Sequence, residues 1–192
     1  MKGLLIALGI ILLIVMVGGC SYNGMNGARL DVDQKWADVQ SSYQRRADLI
    51  PNLVATVKGV ANFETTTLTQ VIQARASATQ IKVDSKDLTP EKMQQFQQSQ
   101  GQLSQALGRL MVVSEQYPQL KANDNFKQLQ DQLEGTENRI KVSRDAFNES
   151  VKNYNMRVTN FPGNILAGMF GFRERPSFQA DQGAQNAPKV QF

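Results

Sequence analysis

The 192-residue sequence has no histidine and a single cysteine. Without imidazole it lacks the commonest general base, the Ser-His and Cys-His nucleophile pairs, and the usual ligand of zinc centres. The Glu-x-x-His pattern by which helical bundles hold paired metals is excluded as well. The lone cysteine, Cys20, cannot form an internal disulfide, and it sits beside an apolar run, a poor place for a catalytic thiol. The charge is only +4, from 21 basic and 17 acidic residues. No basic block with interleaved aromatics is present, which argues against nucleic acid. No stretch alternates with period two for long enough to make a strand. These absences predict an all-α protein that is not an enzyme and needs neither cofactor nor metal.

What is present begins with GLLIALGIILLIVMVGG, Gly3 to Gly19, without a charged or polar side chain. As a helix it spans about 26 Å, slightly short of a ~30 Å hydrocarbon core. Lys2 precedes it, as in the n-region of a signal peptide. Val17-Gly18-Gly19-Cys20 resembles the bacterial lipobox, in which a cysteine after a small residue is lipidated. Two readings stay open: a retained membrane helix, or a lipoprotein signal with Cys20 as the attachment point. Both hold the protein to a membrane. Lipidation would place the domain outside the cytoplasm; the positive-inside count is nearly tied. Gly24, Asn26 and Gly27 then suggest a short flexible spacer.

Beyond the spacer the apolar positions recur at helical intervals. Val32, Trp36, Val39 and Tyr43 form one stripe; Leu53, Val57, Val60, Leu68, Val71, Ala78 and Ile81 a second. Met93, Phe96, Leu103, Leu107, Leu110 and Tyr117 keep a seven-residue repeat with Gln100 and Ser114 in its gaps. Phe126, Leu129, Leu133, Ile140, Phe147, Val151, Tyr154 and Val158 hold the repeat longest, with Thr136 and Ser143 in its small polar slots. Thr89-Pro90-Glu91 opens a helix with a cap and an N1 proline, and Asn123 or Asp124 can cap the next.

The string RRADLIPNL, Arg45 to Leu53, interrupts this pattern. Proline disfavours helical geometry at Ile50. Asp48 suits a helix start, and Arg45 and Arg46 a helix end. The spacing predicts a corner between two antiparallel helices; one long helix kinked at Pro51 is the competing reading. The expected architecture is an antiparallel up-and-down four-helix bundle behind a membrane-anchor segment. Residues 1–20 are the anchor or lipoprotein signal and 21–27 the spacer. Residues 28–160 are the bundle, with helices at about 28–47, 50–82, 90–117 and 123–158. Residues 161–192 are an apolar cap followed by an irregular tail.

The string Tyr43-Gln44-Arg45-Arg46-Ala47-Asp48-Leu49-Ile50-Pro51-Asn52-Leu53-Val54, followed by Thr56-Val57-Lys58-Gly59, resembles the signature of the LemA family. Tyr22-Asn23, Trp36, Ala74-Arg75-Ala76, Thr136-Glu137-Asn138-Arg139-Ile140, Asn160-Phe161-Pro162 and Phe170-Gly171-Phe172 extend the resemblance over the whole chain. It implies a membrane-anchored helical bundle and does not imply an enzyme. Some relatives take part in shaping intracellular membranes and others are tied to envelope function. Where relatives often carry Tyr and His-Glu after the Lys-Gly, this sequence has Val60 and Phe63-Glu64. The family expectation of a cytoplasmic domain conflicts with the lipobox reading.

Arg45, Arg46, Asp48, Pro51, Asn52, Glu64, Arg75, Glu137 and Arg144 fall on or beside the apolar seams. The expectation is a set of inter-helix bonds that fix register; a ligand pocket is the alternative. The glutamine-rich run Met93 to Gln105 reads as a neutral polar helix face, or as a seat for a partner helix. FPGNILAGMFGF, Phe161 to Phe172, is uncharged. Its Ile165, Leu166, Met169 and Phe170 are expected to cover the membrane-facing end of the bundle or to dip into the interface. The functional expectation is a membrane-anchored scaffold of the bacterial envelope, with a role in membrane organisation. Its partners would be the membrane and other proteins or further copies of itself. An envelope sensor binding a small ligand or peptide in a polar seam is the alternative.

Overall fold

The computed structural model describes residues 2–60 and 63–179. All regular structure among the described residues is helical: α1 Lys2–Lys58, α2 Thr65–Gln80, α3 Pro90–Ser114, α4 Pro118–Lys121, α5 Asp124–Thr159 and α6 Gly163–Phe170, with a 3-10 turn at Ser85–Asp87.

The helix starts follow local chemistry. The Thr89 hydroxyl accepts the Lys92 N–H and Pro90 takes the first turn of α3, where a missing N–H costs nothing. The Asn123 side chain accepts the Phe126 N–H at 3.2 Å and opens α5. The Asp84 side chain does the same for Lys86 in the 3-10 turn.

The expected corner at Pro51 is not there. α1 is one helix of 57 residues, about 86 Å long, and it runs straight through the proline. Two observations explain this. A proline inside a helix costs about 3 kcal/mol, partly because it removes the bond to the carbonyl four residues back. That carbonyl belongs to Ala47, and Arg75 of α2 donates its Nε–H to it at 2.8 Å. Continuing the helix also buries Ile50, Leu53 and Val57 almost completely. At about 1.5–3 kcal/mol per side chain, their burial outweighs the proline. The chain turns later, at Gly59 and Val60, where the Val60 N–H tightens onto the Val57 carbonyl. The helix expected over 50–82 is therefore the end of α1, a turn, and α2.

Exchanging Arg75 for methionine should cost about 1–3 kcal/mol, because the Ala47 carbonyl loses its donor. In a Pro51→Ala background, which restores the intrahelical N–H, the same exchange should cost about 1 kcal/mol less. Urea unfolding of the four proteins measures the cycle; equal costs in both backgrounds would mean that Arg75 does not serve the orphaned carbonyl.

The expected spacer at 21–27 is also helical. Met25 is buried there, and the rings of Phe170 and Phe172 pack on Tyr22 at 5.1 and 5.6 Å. These contacts offset the glycine cost of about 1 kcal/mol per residue. A glycine also permits the close approach opposite: a Cβ on Gly163 would fall 2.3 Å from the Arg157 carbonyl oxygen.

α1 lies along α5, and α2 along α3. Gly24 sits beside Arg157, the Trp36 and Phe147 rings are 5.3 Å apart, and Arg46 bonds Glu137 at 3.0 Å. The Trp36 and Gln40 side chains both donate to the Val83 carbonyl at 2.9 Å, pinning the α2–α3 connection to α1. At the other end the Phe63 and Tyr117 rings meet at 4.8 Å.

Candidate functional site

The apolar core is in two parts. One holds Met25, Val32, Trp36, Val39 and Tyr43 with Phe96, Ile140, Phe147, Val151 and Tyr154. The other holds Ile50, Leu53 and Val57 with Leu68, Val71, Leu103, Leu110, Phe126 and Leu133. Arg46 lies in sequence between them, and its side chain is only 2% exposed. One guanidinium nitrogen donates to Ser104 Oγ at 2.7 Å and Glu137 Oε2 at 3.0 Å. The other donates to the Gln100 side-chain oxygen at 2.7 Å and its backbone carbonyl at 3.2 Å. Gln100 passes the link on, its amide donating to the Ala78 carbonyl at 3.2 Å. This layer joins α1, α2, α3 and α5 through one buried cation, whose face also lies 5.1 Å from the Tyr43 ring. The Arg46 Nε has no partner. A buried charge is tolerable only with acceptors such as the four around its two terminal nitrogens.

An open groove of about 880 Å³ borders this layer. Six glutamines of α3 line it (Gln94, Gln97, Gln98, Gln100, Gln102 and Gln105), together with Tyr43, Arg46, Glu137, Arg144 and Gln179. It carries donors and acceptors, and Ser104 and Glu137, which accept from the same Arg46 nitrogen, both reach it. Among the described residues no group of three or more Asp, Glu or Cys side chains could hold a metal ion.

The other residues singled out in the sequence are spread over the surface of the bundle. Arg45, Asp48, Pro51 and Asn52 are on the exposed face of α1, where Gln44 donates to Asp48 at 2.7 Å. Glu64 precedes α2 and is exposed, with no capping bond from its side chain. These residues do not join the seam. Arg75 is half-buried on the Ala47 carbonyl. Arg144 is half-buried, 4.8 Å from the Phe178 ring.

Residues 173–179 lie extended against α5. Asn155 both donates to the Arg175 carbonyl and accepts its N–H, each at 2.9 Å. Asn148 does the same for Phe178, at 3.4 and 2.9 Å. The two asparagines are two helical turns apart, about 10 Å, which matches three residues of extended chain. Phe178 is thereby placed against Phe147 and Trp36 at 5.5 and 6.0 Å. Tyr154 donates to the Arg173 carbonyl at 2.8 Å. Burial pushes its phenol pKa up, against the nearby Arg175 and Arg29, so the donating form is kept. The rest of the expected tail, 180–192, lies outside the described residues.

Directly before the extended segment, α6 rests beside α1 just after the apolar run. Ala167 is buried and Leu166 half-buried against the core. Ile165, Met169 and Phe170 are exposed, as is Phe161 before the helix. Gly171, at φ +74°, closes α6 in the left-handed geometry glycine favours and turns Phe172 under it. Cys20 is exposed. The large apolar side chains described between Leu4 and Val17 are 45% to 76% exposed, and this part of α1 is long and apolar enough to cross a membrane.

The profile of the LemA family matches residues 35–192. The chain belongs to the LemA family. Protein LemA of Metamycoplasma hominis is 29% identical over 127 residues, 66% of this chain and 51% of the relative. Magnetosome protein MamQ 2 of Paramagnetospirillum magneticum is 39% identical over 79 residues, 41% of this chain and 29% of that protein. Magnetosome protein MamQ of Magnetospirillum gryphiswaldense is 40% identical over 73 residues, 38% of this chain and 27% of that protein. The chain thus spans about half the length of these curated relatives, or less. Several residues of this LemA-family chain carry more of the structure than their sequence positions suggested. Gln100 is the clearest, and its signal was a polar residue in a core slot of the α3 repeat. Asn148 and Asn155 had a signal too, an equal spacing of seven beside the apolar stripe of α5. Ser104 had none.

Proposed function

We propose that this LemA-family protein is a non-enzymatic, membrane-anchored scaffold, an up-and-down antiparallel four-helix bundle that presents its polar helix faces to partner proteins. The observation that carries this reading is the continuity of α1, one unbroken helix from the apolar run into the core. Such a helix holds a domain at a fixed height above a bilayer, which suits an organiser of other proteins. Relatives named as magnetosome proteins support a role in membrane organisation. With a retained helix the rod begins in the bilayer, and with a lipid on Cys20 it begins at Cys20 without the apolar run; intact mass of the native protein separates the two. A second reading, a sensor for a small polar ligand or peptide, is favoured by the glutamine-lined groove over Arg46. The test is photo-crosslinking in native membranes from Gln98, Gln102 and Gln105, with adducts identified by mass spectrometry. A recurrent protein adduct supports the scaffold. Its absence, with a rise in melting temperature on adding small polar metabolites or peptides, supports the sensor.

A further inference from the structure

We infer that α6 is an interfacial foot, a short helix whose outer face lies in the boundary between headgroups and acyl chains of the bilayer that α1 enters. The inference rests on the reading of α1 as a membrane anchor. Three observations carry it. First, α1 is continuous from Gly3 past Tyr22, so the height of α6 is fixed by the rod it rests on. The Tyr22 ring touches the Phe170 ring at 5.1 Å and lies only about 4.5 Å of helix beyond Gly19, the end of the apolar run. Second, α6 is two-faced. Ala167 and Leu166 face the core, whereas Ile165 and Met169 are 57% and 74% exposed, with Phe161 at 80% just before them. An uncharged helix with this much open apolar surface, next to a spanning segment, has lipid as its nearest apolar neighbour. Third, cations frame the patch. Arg157 abuts Gly24, Arg29 stacks on Phe172 at 5.6 Å, and Arg173 is exposed beyond Gly171, with Glu174 the acid beside them. Arginines at this level suit lipid phosphates, and Tyr22 suits the aromatic belt.

The foot would oppose tilting of the domain. A lone helix can lean and rotate in the bilayer, whereas a second contact beside it restrains both.

The test uses the full chain in phosphatidylcholine vesicles containing phosphatidylglycerol, with quenching by lipids brominated near the headgroup or deep in the acyl chain. Trp36, buried and about 26 Å along α1 from Gly19, is a constant background. Met169→Trp and Ile165→Trp place probes at exposed positions that tolerate the ring. Leu12→Trp reports the anchor, and Val142→Trp, exposed on α5, reports bulk water. The expected result is blue-shifted emission from both α6 probes, quenched most by the shallow bromolipid. Leu12→Trp should be quenched most by the deep one, and Val142→Trp by neither. If Leu12→Trp is quenched but both α6 probes behave like Val142→Trp, the foot is wrong and the anchor stands. If Leu12→Trp is not quenched, the anchor reading fails with it. Blue-shifted α6 probes insensitive to bromolipid, in a dimer by light scattering, would assign the patch to a second copy and overturn the foot.

Discussion

Phe147→Ala should lower the unfolding free energy by about 3–5 kcal/mol. Phe147 is fully buried at the meeting point of three elements. Its ring lies 5.3 Å from Trp36 of α1 and 5.5 Å from Phe178 of the extended segment. Removing it opens a cavity that none of these aromatics can fill without leaving its own partner. Trp36 is held by its bond to the Val83 carbonyl, and Phe178 by the two-point clamp of Asn148 on its backbone. Both the transfer loss and the cavity loss therefore apply in full. For a domain of this size the melting temperature should fall by roughly 10 °C or more. Trp36 is the only tryptophan and reports the transition directly. Val142→Ala, on the solvent side of the same helix, should stay within about 0.5 kcal/mol of the parent. A loss below about 1 kcal/mol for Phe147→Ala would contradict the placement of this ring in the core.

Gln100→Leu should cost about 3 kcal/mol, and the loss should shrink when Arg46→Met is added. Leucine nearly fills the same volume, so the cost is electrostatic rather than steric. Without the Gln100 side chain, Arg46 loses its 2.7 Å acceptor while remaining buried. Glu137 is an incomplete substitute, because its carboxylate is more than half exposed and screened by water. The Ala78 carbonyl loses its amide donor as well. With Arg46→Met the buried charge is gone, and the layer becomes a continuation of the two apolar clusters. A double variant less stable than Gln100→Leu alone would show that the cation stabilises the bundle independently of Gln100.

The helical stripes were legible because the burial period is set by geometry. Met93, Phe96, Leu103 and Leu110, read as one seam, are buried together, and so is the longer series from Phe126 to Val158. The caps at Thr89 and Asn123 were legible because their chemistry is local. Pro51 was misread because its effect is not local. The donor that makes it tolerable sits on Arg75, in a different helix. The true end of α1 carried a signal of its own, Lys58 in the last turn followed by Gly59. The glycines near Met25 misled in the same way. Taken alone they suggest flexibility, but Tyr22 packs on Phe170 and Phe172 and Met25 is buried, so the stretch is held as helix by its neighbours. The polar layer was legible only in part. Arg46 and Glu137 stand out as charges beside a seam, whereas Asp48, Asn52 and Glu64 looked equivalent in sequence and lie outside. One helical step separates a buried charge from an exposed one, and register errors of one residue are invisible without the neighbouring helix.

Everything proposed for this protein depends on α1 acting as one stiff rod from the apolar run to the far end of the bundle. Spin labels at Asn23→Cys and Lys58→Cys, in a Cys20→Ser background, bracket both the glycine-rich stretch and Pro51. Pulsed dipolar spectroscopy on the reconstituted protein should give a single narrow distance near 52 Å, the length of unbroken helix between the two sites. A broad distribution, or a mean shorter than about 40 Å, would show a joint in α1 and contradict the rod.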